Sequence, residues 1–538
     1  MEGCRRLLPL TACVWSCFLV QVGLGQDHTL LSFFALPPSL WHTTGVKNKQ
    51  CLSQKTILRI AYALLGCALL VGFGTRTVPL FRYTGFDADQ AWNASKILAM
   101  GPGNWPSLGP YSSIGGYSLP PLLYYITWPF TIFGPDPRLQ VLPNILCSIL
   151  AIPLLMYLLY LLLEHVPRGT RLFLAGVGGV WWSVFFPDVL LNSVEWNPPL
   201  VPFFLLLSAL LWYWAWKAKT ATLCVACWIG IGVCLAVLAS LHSSTLFVMP
   251  IVFGITALWY IVRTRRWVGP VVGLAIALLM LLPYWKGEIA THWQNTRTII
   301  QTVQETSRLE RHAPIDRMNR AIGTFLQLGE SAYFPQKFGG WFGPLYLALI
   351  PLFGIGLFRG ERKLFGYLLI VWMVFLLAAS NYWGVPFIHY SVLIWFAPVV
   401  FTMLALSSLR IRTVTGVTLA TLLGIGILLS FAGNILLDWN YFNARFGTPR
   451  LANTADLVAA LRSIPDGSTV CATSATEQSL AYLAKEVAHN QLRVTTDCTG
   501  GTRYRIEQDC RDTTTFRKPL TCAGFGSPVR VVSVMDGT

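Results

Sequence analysis

Apolar residues run along the chain in long blocks. Stretches near 57–74, 119–134, 139–163, 172–187, 199–216, 221–241, 244–262, 267–285, 341–358, 364–379, 389–407 and 413–436 are dominated by Leu, Ile, Val, Phe, Ala and Trp. Such blocks predict helices crossing a bilayer, each crossing needing about 20 apolar residues. Several are shorter than that, so their order is read here rather than their ends.

The polar intervals orient the spans. Lys47, Lys49, Lys55 and Arg59 precede the first block, and later clusters are Arg168 and Arg171, Lys217 and Lys219, Arg263, Arg265 and Arg266, Arg359, Arg362 and Lys363, and Arg410 and Arg412. Short Lys/Arg-rich loops face the cytoplasm. All of them do so only if 119–134, which is short and opens with Pro120-Pro121, does not cross. It is therefore read as a juxtamembrane or re-entrant segment, leaving about eleven crossings by span length. The same parity puts 75–138, 188–198, 286–340 and the chain after about Asp438 outside.

Composition agrees with this picture. The 538 residues are 54% hydrophobic and 12% charged, half the roughly 25% charge of soluble domains. This excludes a cytosolic enzyme, a collagen, a coiled coil and a chain of disordered tails. The formal charge of +16 would suit nucleic acid only if gathered on one soluble face; it is dispersed between spans, so no nucleic-acid partner is expected.

The two ends differ from the middle. Residues 1–50, with Arg5 and Arg6 before an apolar 7–24, look like a signal or an anchor, or an upstream-extended start; cleavage there would leave Lys47 and Lys49 outside, against the parity. Residues 51–438 form the transmembrane domain. Residues 439–538 mix helix-like LVAALRSI and SLAYLAKEVA with strand-like STVCAT, RVTTDC and VRVVSV, which predicts a small α/β domain outside the membrane. Its Cys471, Cys498, Cys510 and Cys522 would allow up to two disulfides in an oxidising compartment, in any of three pairings, or remain thiols. Cys224 and Cys227 lie inside an apolar span and are read as core.

Candidate chemistry gathers in the outer intervals. Asp87 and Asp89 sit just past the first span, before an amphipathic helix from Ala88 to Ala99. Two carboxylates there suit divalent-cation binding or proton abstraction, and equally a helix cap. The Gly/Pro/Ser loop that follows, with Tyr124 and Tyr125, suits a lipid or sugar surface, or an aromatic interface belt. Glu195 and Asn197 at the mouth of a later span could bind sugar hydroxyls, or Asn197 could cap the helix after Pro198-Pro199. His242 and His389 fall at span ends, where hydrogen bonding at the interface competes with a ligand or base role. The long loop 286–340 carries Arg297 and Arg308 among its cations, fit to grip a phosphate or to form a solvated amphipathic helix. The spans themselves read as nearly free of acids and bases, which disfavours a transporter with charge at mid-membrane.

An acidic motif after the first span, an amphipathic helix, a Gly/Pro/Ser loop and PPLLYYITWPFTIFG before a span with Pro143 and Asn144 together resemble the GT-C superfamily of membrane glycosyltransferases. The similarity is to the branch with bacterial aminoarabinose transferases and protein O-mannosyltransferases, and it covers about the first 200 residues well. The resemblance implies an all-α polytopic fold of about 11–13 transmembrane helices with the small C-terminal α/β domain. It implies transfer of a hexosyl or pentosyl group from a polyprenyl-phosphate sugar to a lipid, glycan or protein acceptor, with inversion, at the outer face of the cytoplasmic membrane. Asp89, with Asp87, matches the catalytic acidic motif, and Glu195 falls near a second acidic position. A divalent metal ion, Mg or Mn, would be held by Asp87 and Asp89. The chain departs from the family where an Asp-Glu pair is common, having Gln90 after Asp89, and has Leu119 where some members carry a Lys before Pro-Pro. These departures weigh against the metal and phosphate contacts and leave the latter to the basic loop. They also keep a non-catalytic relative as an alternative, beside the competing class of a lipid or solute transporter.

Overall fold

The computed structural model describes residues 54–82, 86, 88–112, 115–309, 314–334, 340–380, 388–409, 414–447, 454–472, 477–496, 503–508 and 529–534. The reading of residues 1–50 lies outside them. The described chain is a helix bundle with a small α/β unit at one end. In order, the helices are α1 (Gln54–Arg82), α2 (Ala88–Leu98), α3 (Leu122–Thr127, continued by a 3₁₀ turn Trp128–Phe133), α4 (Pro137–Leu162), α5 (Arg168–Ser183), α6 (Phe186–Leu191), α7 (Val201–Lys217), α8 (Ala221–Leu241) and α9 (Ser243–Thr264). Then come α10 (Val268–Met280), α11 (Leu282–Ala290), α12 (Gln294–Leu309), α13 (Pro314–Tyr333), α14 (Phe342–Gly356), α15 (Arg362–Ala379), α16 (Ala397–Ser408, entered by a 3₁₀ turn Ile388–Ile394) and α17 (Val414–Gly447).

Each apolar block of the sequence is met by one of these elements. Among the described residues eight helices are long and apolar enough to cross a membrane, and α10 with α11 would make a ninth if their 53° bend lies within one span. The chain is thus a multi-pass membrane protein. The 119–134 block forms only the short α3 and its 3₁₀ turn, about 18 Å at 1.5 Å per residue, well below the ~30 Å hydrocarbon core.

Local chemistry sets the helix ends. Asp136 caps α4 by accepting from the Arg138 amide, with Pro137 in the first turn; Thr220 caps α8 and Glu361 caps α15. Helices surrounded by lipid gain little from hydrophobic burial against one another, so close packing at small residues holds them. Gly232 of α8 faces Gly273 of α10 so closely that a Cβ there would sit 2.0 Å from the Gly273 carbonyl oxygen.

Among the described residues, the basic loops after α7 and before α15 meet at one end. Lys217 pairs with Glu361 at 2.9 Å, Lys363 lies over the Trp216 ring at 4.4 Å, and Arg171 lies over Tyr160 at 4.0 Å. The opposite end gathers α2, α3, the 188–198 segment, α12 and the C-terminal unit.

That unit comprises α18 (Thr454–Ser463), α19 (Glu477–Tyr482, with a π turn to Val487) and strands β1 (Thr469–Cys471), β2 (Arg493–Thr495), β3 (Arg503–Gln508) and β4 (Val529–Val534). The sheet order is β2-β1-β3-β4, with β1 parallel to β2 and β3 and β4 antiparallel to β3. Strand β3, RYRIEQ, was not among the strand-like segments, because alternating charge hides its pattern. Cys471 is buried on β1; Cys498, Cys510 and Cys522 lie outside the described residues.

Helix α1 runs on to Arg82, past residue 75 where the sequence reading begins the first outer loop, and Arg76 lies within the helix. The first span therefore carries a buried charge.

Candidate functional site

Helix α2 is the amphipathic helix foreseen between Ala88 and Ala99, and each of its stripes meets a different partner. Ala91, Ala94 and Leu98 pack into the core of the C-terminal unit, against residues including Leu461, Leu480 and Leu483. Ile97 packs with Met100 and Tyr124. Asp89 stands exposed in the first turn, one turn before the buried Asn93 and so beside it on the helix surface. Asp87 lies outside the described residues.

Asn93 is the centre of a buried polar chain. The Tyr124 hydroxyl donates to Asn93 Oδ1 at 2.8 Å, and Asn93 Nδ2 donates to Glu195 Oε2 at 3.3 Å. Burial, and then the Glu195 charge, raise the Tyr124 phenol pKa, so Tyr124 stays protonated and donates. That donation fixes the amide orientation which presents Nδ2 to the carboxylate. Asn144 of α4 holds the segment bearing Glu195 by donating to the Val194 and Trp196 carbonyls at 2.8 and 2.9 Å. Three elements far apart in sequence thus place a carboxylate beside the helix that carries Asp89.

The remaining sequence candidates divide. Asn197 makes no side-chain cap of the following turn; its amide donates to the Leu241 carbonyl, tying the segment to the end of α8. His242 follows directly and caps α9, its Nδ1 accepting from the Ser244 amide at 3.2 Å. Burial first, then His389, lower its pKa to about 3, so its imidazole is neutral at physiological pH. Its ring lies 5.7 Å from His389 and 5.6 Å from Tyr390, and His389 packs on Trp196 at 4.5 Å. The two histidines therefore share a cluster one residue from Glu195.

Tyr125 donates to the Pro106 carbonyl at 2.7 Å and Trp128 to the Met100 carbonyl at 3.2 Å, so these aromatics brace the loop from within. Backbone hydrogen bonds tie the Gly/Pro/Ser loop to itself: Gly109 donates to the Leu119 carbonyl at 2.7 Å and Leu119 to that of Pro110 at 2.9 Å. A Cβ at Gly109 would lie 2.3 Å from the Pro120 carbonyl oxygen, so this crossing requires glycine. Leu119, where some family members carry Lys, is buried.

The basic loop is helical. Arg297 lies exposed on α12, which is fastened to the first loop: Asn295 accepts from the Ser118 amide at 2.7 Å and donates to its carbonyl at 2.9 Å. Arg308 belongs to the last turn of α12, and its side chain lies outside the described residues.

A buried ion pair was missed in the sequence. Arg76 Nη2 meets Asp188 Oδ2 at 2.6 Å with both side chains fully buried. Arg76 also donates to Ser148 Oγ at 2.6 Å, the Ser183 carbonyl at 2.6 Å and the Trp182 carbonyl at 3.1 Å, and Ser148 donates to Asp188. A carboxylate seven residues before Glu195 and one Arg near the end of an apolar helix were the only signals.

For the metal expectation, the described residues contain no group of three His, Cys, Asp or Glu able to hold an ion. The described residues do not by themselves supply a ligand set.

No family model and no curated protein matches the chain. Among solved structures, it is similar to ArnT from Cupriavidus metallidurans in the apo state, with TM-score 0.51 and 12% identity, covering 83% of this chain and 92% of that one. It is similar to the same protein bound to undecaprenyl phosphate, with TM-score 0.52 and 10% identity over the same shares. At such identity the likeness speaks for architecture alone: the chain shares the membrane fold of these structures.

Proposed function

We propose that this protein is an integral membrane glycosyltransferase that moves a sugar from a polyprenyl-phosphate donor to an acceptor hydroxyl at the outer face of the cytoplasmic membrane. The observation that carries the reading is the exposed Asp89 on α2 beside the buried Asn93–Glu195 contact, at the end of the bundle opposite the basic loops. A fold shared with a protein that binds undecaprenyl phosphate supports the donor class.

In this reading Asp89 takes the proton of the acceptor hydroxyl as its oxygen attacks the anomeric carbon. The bond from that carbon to the phosphate oxygen breaks, and the polyprenyl phosphate leaves with the electron pair. A single displacement inverts the anomeric centre. Glu195, oriented by Asn93 and Tyr124, accepts hydrogen bonds from sugar hydroxyls, with His242, His389, Tyr125 and Asn197 shaping the surroundings. Arg297 and Arg308 on α12 meet the phosphate as its charge develops. Asp87, beside Asp89 in sequence, is the second acid of the motif and the other metal ligand if an ion is used.

The test is transfer of labelled sugar from a panel of polyprenyl-phosphate sugars by purified protein in lipid. Transfer from at least one donor is expected. Demonstrated donor binding without transfer from any of them would overturn the reading in favour of a non-catalytic relative.

A further inference from the structure

Helix α2 carries the candidate base, yet Ala91 and Ala94, two of its five buried residues, belong to the core of the C-terminal unit. Ala91, Ala94 and Phe86 are buried with Val458, Leu461, Leu480, Tyr482, Leu483 and Ala484 in one cluster. Among the described residues, Tyr482 reaches from that cluster to the membrane bundle. Tyr482, at the end of α19, packs its ring against Phe86 with centroids 5.2 Å apart. Its hydroxyl donates to the Pro135 carbonyl at 2.7 Å and accepts from Gln140 Nε2 of α4 at 3.3 Å. Tyr482 and Gln140 are 4% and 1% exposed, so this junction is built into the interior rather than laid on the surface. Burial raises the Tyr482 phenol pKa, keeping the proton that Pro135 accepts.

The geometry is a clamp. On one side, Asn93 and Ile97 register α2 against Tyr124 and Glu195. On the other, the C-terminal core grips Ala91 and Ala94 and is itself pinned to α4 through Tyr482. A helix of 11 residues has too few internal hydrogen bonds to hold its own place or to persist alone in water. Its position relative to Glu195 is set by these two contacts.

We infer that the C-terminal unit acts in the reaction through α2, with Tyr482 as the positioning residue that fixes Asp89 relative to Glu195. This rests on the proposed transfer reaction for its catalytic consequence, but not for its structural one. A displacement near 1 Å at a reacting group lowers turnover by up to about a hundredfold, so loosening the pin reaches the site without touching it.

The experiment compares wild type, Tyr482→Phe and Tyr482→Ala in lipid nanodiscs by hydrogen–deuterium exchange and by kinetics. Tyr482→Ala is expected to speed exchange across 88–98 by about tenfold or more, as local opening does, while 201–217 and 221–241 stay at wild-type rates. Its kcat is expected to fall about ten- to a hundredfold with the donor KM within about twofold of wild type. Tyr482→Phe keeps the ring on Phe86 and loses the bond to Pro135, so its exchange and kcat fall between the other two. Unchanged exchange at 88–98 in Tyr482→Ala overturns the inference, as does acceleration spread evenly through 201–241. If wild type transfers no sugar, the proposed reaction fails and the exchange pattern alone decides the positioning role.

Discussion

Asp188 and Glu195 stand on one short segment, both acidic and both buried, and the fold puts them to different uses. Asp188 meets a guanidinium, Arg76, which is itself satisfied by Ser148 and the carbonyls of Trp182 and Ser183. Glu195 accepts from the neutral amide of Asn93, which a tyrosine orients. The first arrangement joins α1, α4 and the α5–α6 corner. Asp188 Oδ2 is the oxygen on which Arg76 and Ser148 converge. The second arrangement lies next to the exposed Asp89 and the aromatic cluster of His242, His389 and Trp196. Two buried carboxylates seven residues apart thus meet different groups, Asp188 a guanidinium and Glu195 an amide that a tyrosine orients.

Substitutions can break this contrast. Removing one member of a buried ion pair leaves the other charge uncompensated and costs about 3–5 kcal/mol. Arg76→Ala is accordingly expected to lower the thermal midpoint and the folded yield severely, with any loss of transfer following the loss of protein. A variant that folds normally yet loses transfer would move Arg76 and Asp188 into the site. Glu195→Gln retains an acceptor oxygen for Asn93 and removes the charge. It is expected to unfold near the wild-type midpoint while kcat/KM falls about ten- to a hundredfold, as hydrogen bonds from sugar hydroxyls to a charged group are lost, and an unfolding loss as large as that of Arg76→Ala would erase the distinction.

A smaller effect concerns the cluster beside Glu195. His242 has its pKa lowered to about 3 in the fold, against about 6.5 when unfolded. The unfolded chain then binds more protons between these values, so stability rises with pH. The contribution of neutral His242 is complete above about pH 6.5 and is lost as pH falls toward 3. Thermal unfolding at pH 7.5, 6.0 and 5.0 should show a steeper decline for wild type than for His242→Asn. Parallel declines would mean that His242 is not held neutral by burial.

The sequence made the span order legible, because a block of apolar residues has only one inexpensive destination in a bilayer. It also made α2 and the shortness of the helix within 119–134 legible, through helical periodicity and length. The polar network was not legible: Asn93 and Glu195 are 102 residues apart, Arg76 and Asp188 are 112 apart, and no local pattern encodes such pairings. Asn197 looked like a cap and serves as a tether to Leu241, since an amide beside Pro-Pro reads the same in either role. The α/β nature of the tail was visible in Val-rich segments, whereas β3, with charges at alternate positions, was not.

The claim at the centre of the account is that Asp89 is the base. Its most direct test is transfer of labelled sugar from the active donor by wild type and Asp89→Asn in the same lipid, with matched thermal midpoints. The account predicts that Asp89→Asn remains folded and inserted and loses transfer by about 10²–10⁴-fold. Transfer at the wild-type rate by folded Asp89→Asn would contradict it.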